Sequence, residues 1–152
     1  MVKKLKKTDL MFAIALLSML FVHFIFVFLV PYSEDESFYV TIPFRILNGD
    51  SLVQHEWHLT QFSSLFLYLP VYIWTAIKGS IDGIFIFIRC IYLFIHTTLA
   101  VTIYCFFRKH GKWAVMASMM FFVQIPYRFQ AISYQSMFAI FLLLLTLCLL
   151  SI

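Results

Sequence analysis

Charged side chains make up only 12% of this 152-residue chain, and glycine and proline number four each. With 63% of residues hydrophobic and a mean hydropathy of +0.95, the polar groups are too few to cover a soluble domain. A soluble class is excluded, and the chain reads as a polytopic membrane protein. Cysteine is sparse as well: Cys90, Cys105 and Cys148 lie inside apolar runs without paired spacing. That placement supports neither a disulfide framework nor a thiol metal site. Carboxylates are missing from the interiors of the apolar runs, and no glycine or proline breaks recur at matching positions. A small transporter or channel therefore ranks last among the functional readings. There is no internal repeat, no low-complexity linker and no room for a separate soluble domain.

What the chain has in abundance is apolar length flanked by positive charge. The net charge of +4 comes mainly from clusters beside apolar segments, a mark of cytoplasmic loops and not of nucleic-acid binding. Lys3, Lys4, Lys6 and Lys7 precede a run of 21 residues from Leu10 to Val30. At about 1.5 Å per residue this run matches the roughly 30 Å of a hydrocarbon core. A cleaved signal peptide would carry a shorter core of about 7–15 residues and small residues before the cut. The run ends instead in Phe28-Leu29-Val30-Pro31, so an uncleaved first span with a cytoplasmic N-terminus is expected.

Phe62 to Ile77 is short, with Pro70 at its centre and Lys78 at its end. If it crossed, the cluster Arg108-Lys109-His110-Gly111-Lys112 would fall outside, against the positive-inside bias. An interfacial or re-entrant helix is expected there. Further spans are expected at Ile84–Phe107, Trp113–Ile125 and Ala131–Ile152. The expected fold is thus an all-α polytopic membrane protein. It has four transmembrane helices, an external amphipathic helix and an interfacial helix, with five spans as the alternative.

Residues 31–61 form the one strongly polar stretch and hold five of the seven acids: Glu34, Asp35, Glu36, Asp50 and Glu56. Ser33 and Glu36 have the form of a capping box that starts a helix at Glu34. Phe38, Ile42 and Ile46 would share its apolar face, Pro43 would kink or shorten it, and Asn48-Gly49-Asp50 would close it. Carboxylates in a first turn are favoured by the positive end of the helix dipole. Capping alone explains such residues, while a carboxylate beside a membrane could also act as a general base or bind a metal. Gln54-His55-Glu56-Trp57-His58 could hold a divalent cation or serve as a headgroup-level anchor. Arg128, on the outer side, could meet a phosphate or Asp35, or snorkel, and for Arg89 snorkelling is favoured. His23 and His96 are expected to be neutral and satisfied by a neighbouring helix.

The order of features supports a resemblance. A basic N-terminus and one span precede Asp35-Glu36-Ser37-Phe38-Tyr39 and then Arg45-Ile46-Leu47-Asn48-Gly49-Asp50. An aromatic interfacial stretch, Arg89 and a basic turn at Arg108-Lys109 follow. This resembles the N-terminal part of the polytopic GT-C glycosyltransferases, the glycosyltransferase family 39-like group with protein mannosyltransferase-like and aminoarabinose transferase-like members. The resemblance implies sugar transfer from a polyprenyl-phosphate-linked donor to an acceptor at the external face. It implies Asp35 as the general base and Glu36 as its supporting neighbour. Glu56, Arg128 and Gln135 would be substrate contacts, with a divalent metal as the conceivable cofactor and Asp35, His55, Glu56 and His58 as its ligand candidates. Where the family carries a second acid, this chain has Ser133-Tyr134-Gln135-Ser136. Residues 1–152 are expected to be a single membrane domain forming the front part of a larger module. A non-catalytic membrane scaffold or accessory subunit is the alternative.

Overall fold

The computed structural model describes residues 6–51, 54–55, 64–124 and 132–151, and no strand occurs among them. Six α-helices follow in order: α1 (Lys7–Leu29), α2 (Glu34–Leu47), α3 (Tyr68–Lys78), α4 (Ile84–Phe107), α5 (Lys112–Val123) and α6 (Tyr134–Ser151). One 3-10 turn, Leu65–Leu67, leads into α3, and another, Arg108–His110, follows α4. Three helices, α1, α4 and α6, are long and apolar enough to span a membrane; α3 and α5 are shorter. Only 17% of the apolar window of α1 and 6% of that of α6 is buried inside the protein. Their outer faces therefore require a hydrocarbon surround or further protein.

Hydroxyls within the long helices behave as a membrane interior demands. Thr97, Thr98 and Thr102 donate to the carbonyls of Leu93, Phe94 and Thr98, at 2.7–2.9 Å. Thr146 does the same to Leu142 at 2.8 Å. Such back-bonding gives each of these four threonine hydroxyls a partner within its own helix.

The described residues fall into two units. The first takes residues from 1–30 and 93–127, so it holds α1, the later part of α4, and α5. Asp9, in the first turn of α1, accepts hydrogen bonds from Arg108 Nε (2.9 Å), Arg108 Nη2 (2.5 Å) and the Tyr104 hydroxyl (2.6 Å). The start of α1 and the end of α4 are thereby tied together, and the two helices run antiparallel. Phe12 stacks on Tyr104 with ring centroids 4.0 Å apart, and both pack with the buried Ala114 and Val115. Small residues let α5 lie close to α4: Ala100, Ala114 and Ser118 are fully buried, and Ser118 Oγ donates to the Ala100 carbonyl at 2.6 Å. His23 is satisfied through its own helix, Nδ1 lying 2.9 Å from the Met19 carbonyl, and its ring meets Phe122 edge-on. His96 stacks on Phe121.

The second unit takes residues from 31–92 and 128–152. Here α2 packs against the 3-10 turn and α3. Pro70, expected at the centre of an apolar segment, instead occupies the first turn of α3, because Leu65–Leu67 is wound as 3-10 and the α-helix starts only at Tyr68. Its missing N–H is then one of those that a helix start leaves unbonded in any case. Gly79 ends α3 in the left-handed conformation, φ +68°, with its N–H on the Thr75 carbonyl. Trp74 closes the turn into α4: its indole N–H donates to the Asp82 carbonyl at 3.2 Å and its ring stacks on Phe87.

The α4–α5 contact leaves no room for a larger side chain at Ser118. Ser118→Leu is expected to destabilise the protein by about 1–3 kcal/mol through overpacking. Ser118→Ala is expected to cost about 1 kcal/mol, the worth of one hydrogen bond. Unfolding titrations in mixed micelles check both, and equal stability of the leucine variant would contradict the close approach.

Candidate functional site at the first loop

The chain leaves α1 at Val30 and enters α2 through a complete capping box. Ser33 Oγ accepts from the Glu36 N–H at 3.2 Å, and Glu36 Oε2 accepts from the Ser33 N–H at 3.4 Å. The helix runs through Pro43 without ending there and reaches Leu47. Its inward face differs from the sequence expectation. Phe38 is exposed and Ile46 only partly covered, whereas Glu36, Tyr39, Val40, Ile42 and Pro43 are buried. The face centres on positions 36, 39–40 and 43 because Glu36 is drawn inward by a cation.

That cation is Arg89, in the second turn of α4. Arg89 Nη2 lies 2.6 Å from Glu36 Oε2, and Nε lies 3.2 Å from Oε1, a two-pronged pair. Nη2 also donates to the Pro31 carbonyl at 3.2 Å. Tyr32 lies over the guanidinium, 4.7 Å from its ring centroid, and stacks on Phe85. Arg89 is 1% exposed and Glu36 2%. Snorkelling, the favoured sequence reading for Arg89, does not occur; the side chain is consumed by a partner 53 positions away in sequence. Among the described residues no buried side-chain nitrogen or oxygen lacks a hydrogen bond.

Asp35 is placed differently. It is exposed in the first turn of α2 and makes no hydrogen bond or ion pair with the described residues. Adjacent positions on a helix lie about 100° apart, so Glu36 facing inward leaves Asp35 on the flank.

The end of α2 is built by the Arg45-to-Asp50 stretch. Asn48 Nδ2 donates to the Phe44 carbonyl at 2.7 Å, and Gly49 takes φ +101°, which a side chain would resist. Arg45 Nε then reaches Asp50 Oδ2 at 2.6 Å, while its Nη2 donates to the His55 carbonyl at 2.9 Å. The helix end was legible; this ion pair was not, although an arginine and an aspartate flanking Asn-Gly is a usable signal. His55 Nδ1 accepts from the Ser51 N–H at 3.0 Å, which commits one ring nitrogen. Among the described residues no three His, Cys, Asp or Glu side chains gather as a cation site. Asp35 and His55 therefore do not make one by themselves. Gln135 is exposed in the first turn of α6 and donates to the Tyr134 hydroxyl at 3.3 Å. Glu56, His58 and Arg128 lie outside the described residues.

The chain matches no family model, no curated protein and no solved structure.

Removing one member of the buried pair takes away the opposite charge that the other faces. Glu36→Ala or Arg89→Ala is expected to cost about 3–5 kcal/mol of unfolding free energy. The double replacement Glu36→Leu with Arg89→Met is expected to cost less than either single change, since no buried charge remains. A denaturation cycle in mixed micelles measures this. Single costs below about 1 kcal/mol would mean that the pair behaves as an exposed one.

Proposed function

We propose that this chain is a membrane-embedded sugar-transfer module of the GT-C type, with Asp35 as the general base at the external face. The observation that carries the reading is the division of labour between neighbouring carboxylates. Glu36 is buried against Arg89 and holds α2 to the start of α4, whereas Asp35 is exposed and free of partners among the described residues. A base needs an accessible oxygen on a support that does not drift, and this arrangement supplies both. In the reaction, Asp35 takes the proton of an acceptor hydroxyl as that oxygen bonds to the anomeric carbon. The bond from that carbon to phosphate breaks, and polyprenyl phosphate leaves with the electron pair. Glu36 is a positioning residue in this scheme. Glu56, Arg128 and Gln135 are proposed substrate contacts on their places in the sequence.

The topology that goes with this function is four spans, with α5 as the third crossing and α3 in the interface. The Asp9–Arg108 pair supports it, because the start of α1 and the end of α4 then share one membrane face. If both helices cross, the chain between them returns to the face it left, and α3 does not add a crossing. The basic residues at that shared end make it the cytoplasmic one, and the loop that carries Asp35 is external.

A second reading, a non-catalytic scaffold or accessory subunit, is favoured by one observation. Both ion pairs in the described part of the loop, Glu36–Arg89 and Arg45–Asp50, fasten the backbone. Asp35→Asn separates the two readings. Release of polyprenyl phosphate from labelled polyprenyl-phosphate sugars, in membranes carrying the chain, is expected to fall by about 10²-fold or more with normal accumulation. Undiminished transfer would retire the catalytic assignment and leave the scaffold.

The topology is tested separately. With the native cysteines replaced, a cysteine introduced as Lys109→Cys is expected to resist a membrane-impermeant maleimide in intact cells. A cysteine introduced as Ser37→Cys is expected to react. Labelling at position 109 from outside would overturn the four-span arrangement.

A further inference from the structure

The turn between α4 and α5 carries a feature that sugar transfer does not use. Helix α5 has two opposed stripes. Ala114, Val115, Ser118 and Phe122 are buried, while Trp113, Met116 and Met120 are 62%, 50% and 67% exposed. The second stripe, with Phe107, His110 and Ala117, lines a groove of about 460 Å³. This size is in the range of small-molecule sites. Its walls are almost wholly apolar, and the two methionines are unbranched and able to follow a flexible chain.

Basic residues adjoin the groove. His110 lines it, and Lys112 Nζ stands 5.7 Å from the centroid of the Trp113 ring, which is another wall. Lys109 adjoins them, exposed. The start of α1 shares this end, since a Cβ on Gly111 would lie 3.8 Å from Thr8 Cγ2. Among the described residues, the end therefore gathers Lys6, Lys7, Arg108, Lys109 and Lys112 against one acid, Asp9, which Arg108 engages. An apolar trough with cationic residues beside it is complementary to one ligand class, a diacyl phospholipid with a net negative headgroup.

We propose that this groove is a binding site for an anionic phospholipid, one acyl chain lying along Trp113, Met116 and Met120 and the phosphate held by Lys109 and Lys112. The site takes lipid from the leaflet that meets the Arg108–Lys112 turn. It stands independently of the sugar-transfer reading.

The test uses the full chain in phosphatidylcholine vesicles containing a minor fraction of dibrominated lipid, either phosphatidylglycerol or phosphatidylcholine. Bromine quenches tryptophan on contact, so Trp113 reports on acyl chains in the groove. Brominated phosphatidylglycerol is expected to associate roughly three- to tenfold more strongly than brominated phosphatidylcholine. This excess is expected to disappear in Trp113→Phe and in the double variant Lys109→Gln with Lys112→Gln. Equal quenching by the two lipids in the unaltered protein would mean ordinary solvation by any acyl chain and would overturn the site. An excess that survives Trp113→Phe would place anionic lipid elsewhere and overturn it too. An excess lost in Trp113→Phe but kept in the lysine variant would overturn the headgroup assignment.

Discussion

The loop helix is tied to α4 by a buried ion pair, Arg89 with Glu36. Two charges removed from water are costly to bury, and their attraction offsets this only with good geometry and satisfied remaining donors. Here the geometry is two-pronged, the Pro31 carbonyl takes a further bond, and the Tyr32 ring covers the guanidinium. Apolar contact is non-directional, whereas a two-pronged charge pair has a defined geometry. The pair fixes the rotation of α2, and with it the direction in which Asp35 is presented.

The other end of α4 repeats the device in a more open setting. Asp9 collects Arg108 and the Tyr104 hydroxyl, so a single acid in the first turn of α1 aligns two long helices. The aromatic stack of Phe12 on Tyr104 lies one turn further in, and small residues at Ala100, Ala114 and Ser118 set the spacing to α5. Polar fasteners at helix ends with small or aromatic packing between them are the pattern expected where lipid, not water, surrounds the helices.

Much of the secondary structure was legible in the sequence. The bounds of α4, Ile84–Phe107, agree with the apolar run, and the Ser33–Glu36 box marks the start of α2. Both signals are local, resting on hydropathy and on a spacing of three residues. What the sequence hid is long-range. The partner of Glu36 lies 53 positions away and the partner of Asp9 lies 99 away. Without Arg89 in view, the apolar set Phe38, Ile42 and Ile46 is the natural inward face of α2. With it, the helix turns to bury Glu36. Hydropathy does not distinguish a 3-10 turn from an α-helix, so the change from one to the other at Tyr68 was not legible. Of the candidate site, Asp35 and Glu36 were assigned separate roles on the resemblance, whereas the burial of Glu36 against a distant arginine was not legible.

The central claim is that the Arg89–Glu36 pair holds α2 in place and thereby presents Asp35. Amide hydrogen exchange in lipid nanodiscs, comparing the unaltered protein with Arg89→Met, tests it most directly. The account predicts that protection is lost across Glu34–Leu47 together, while α4 beyond Tyr92 keeps its protection. Unchanged protection of α2 in the variant would contradict it, because the helix would then be held by something other than the pair.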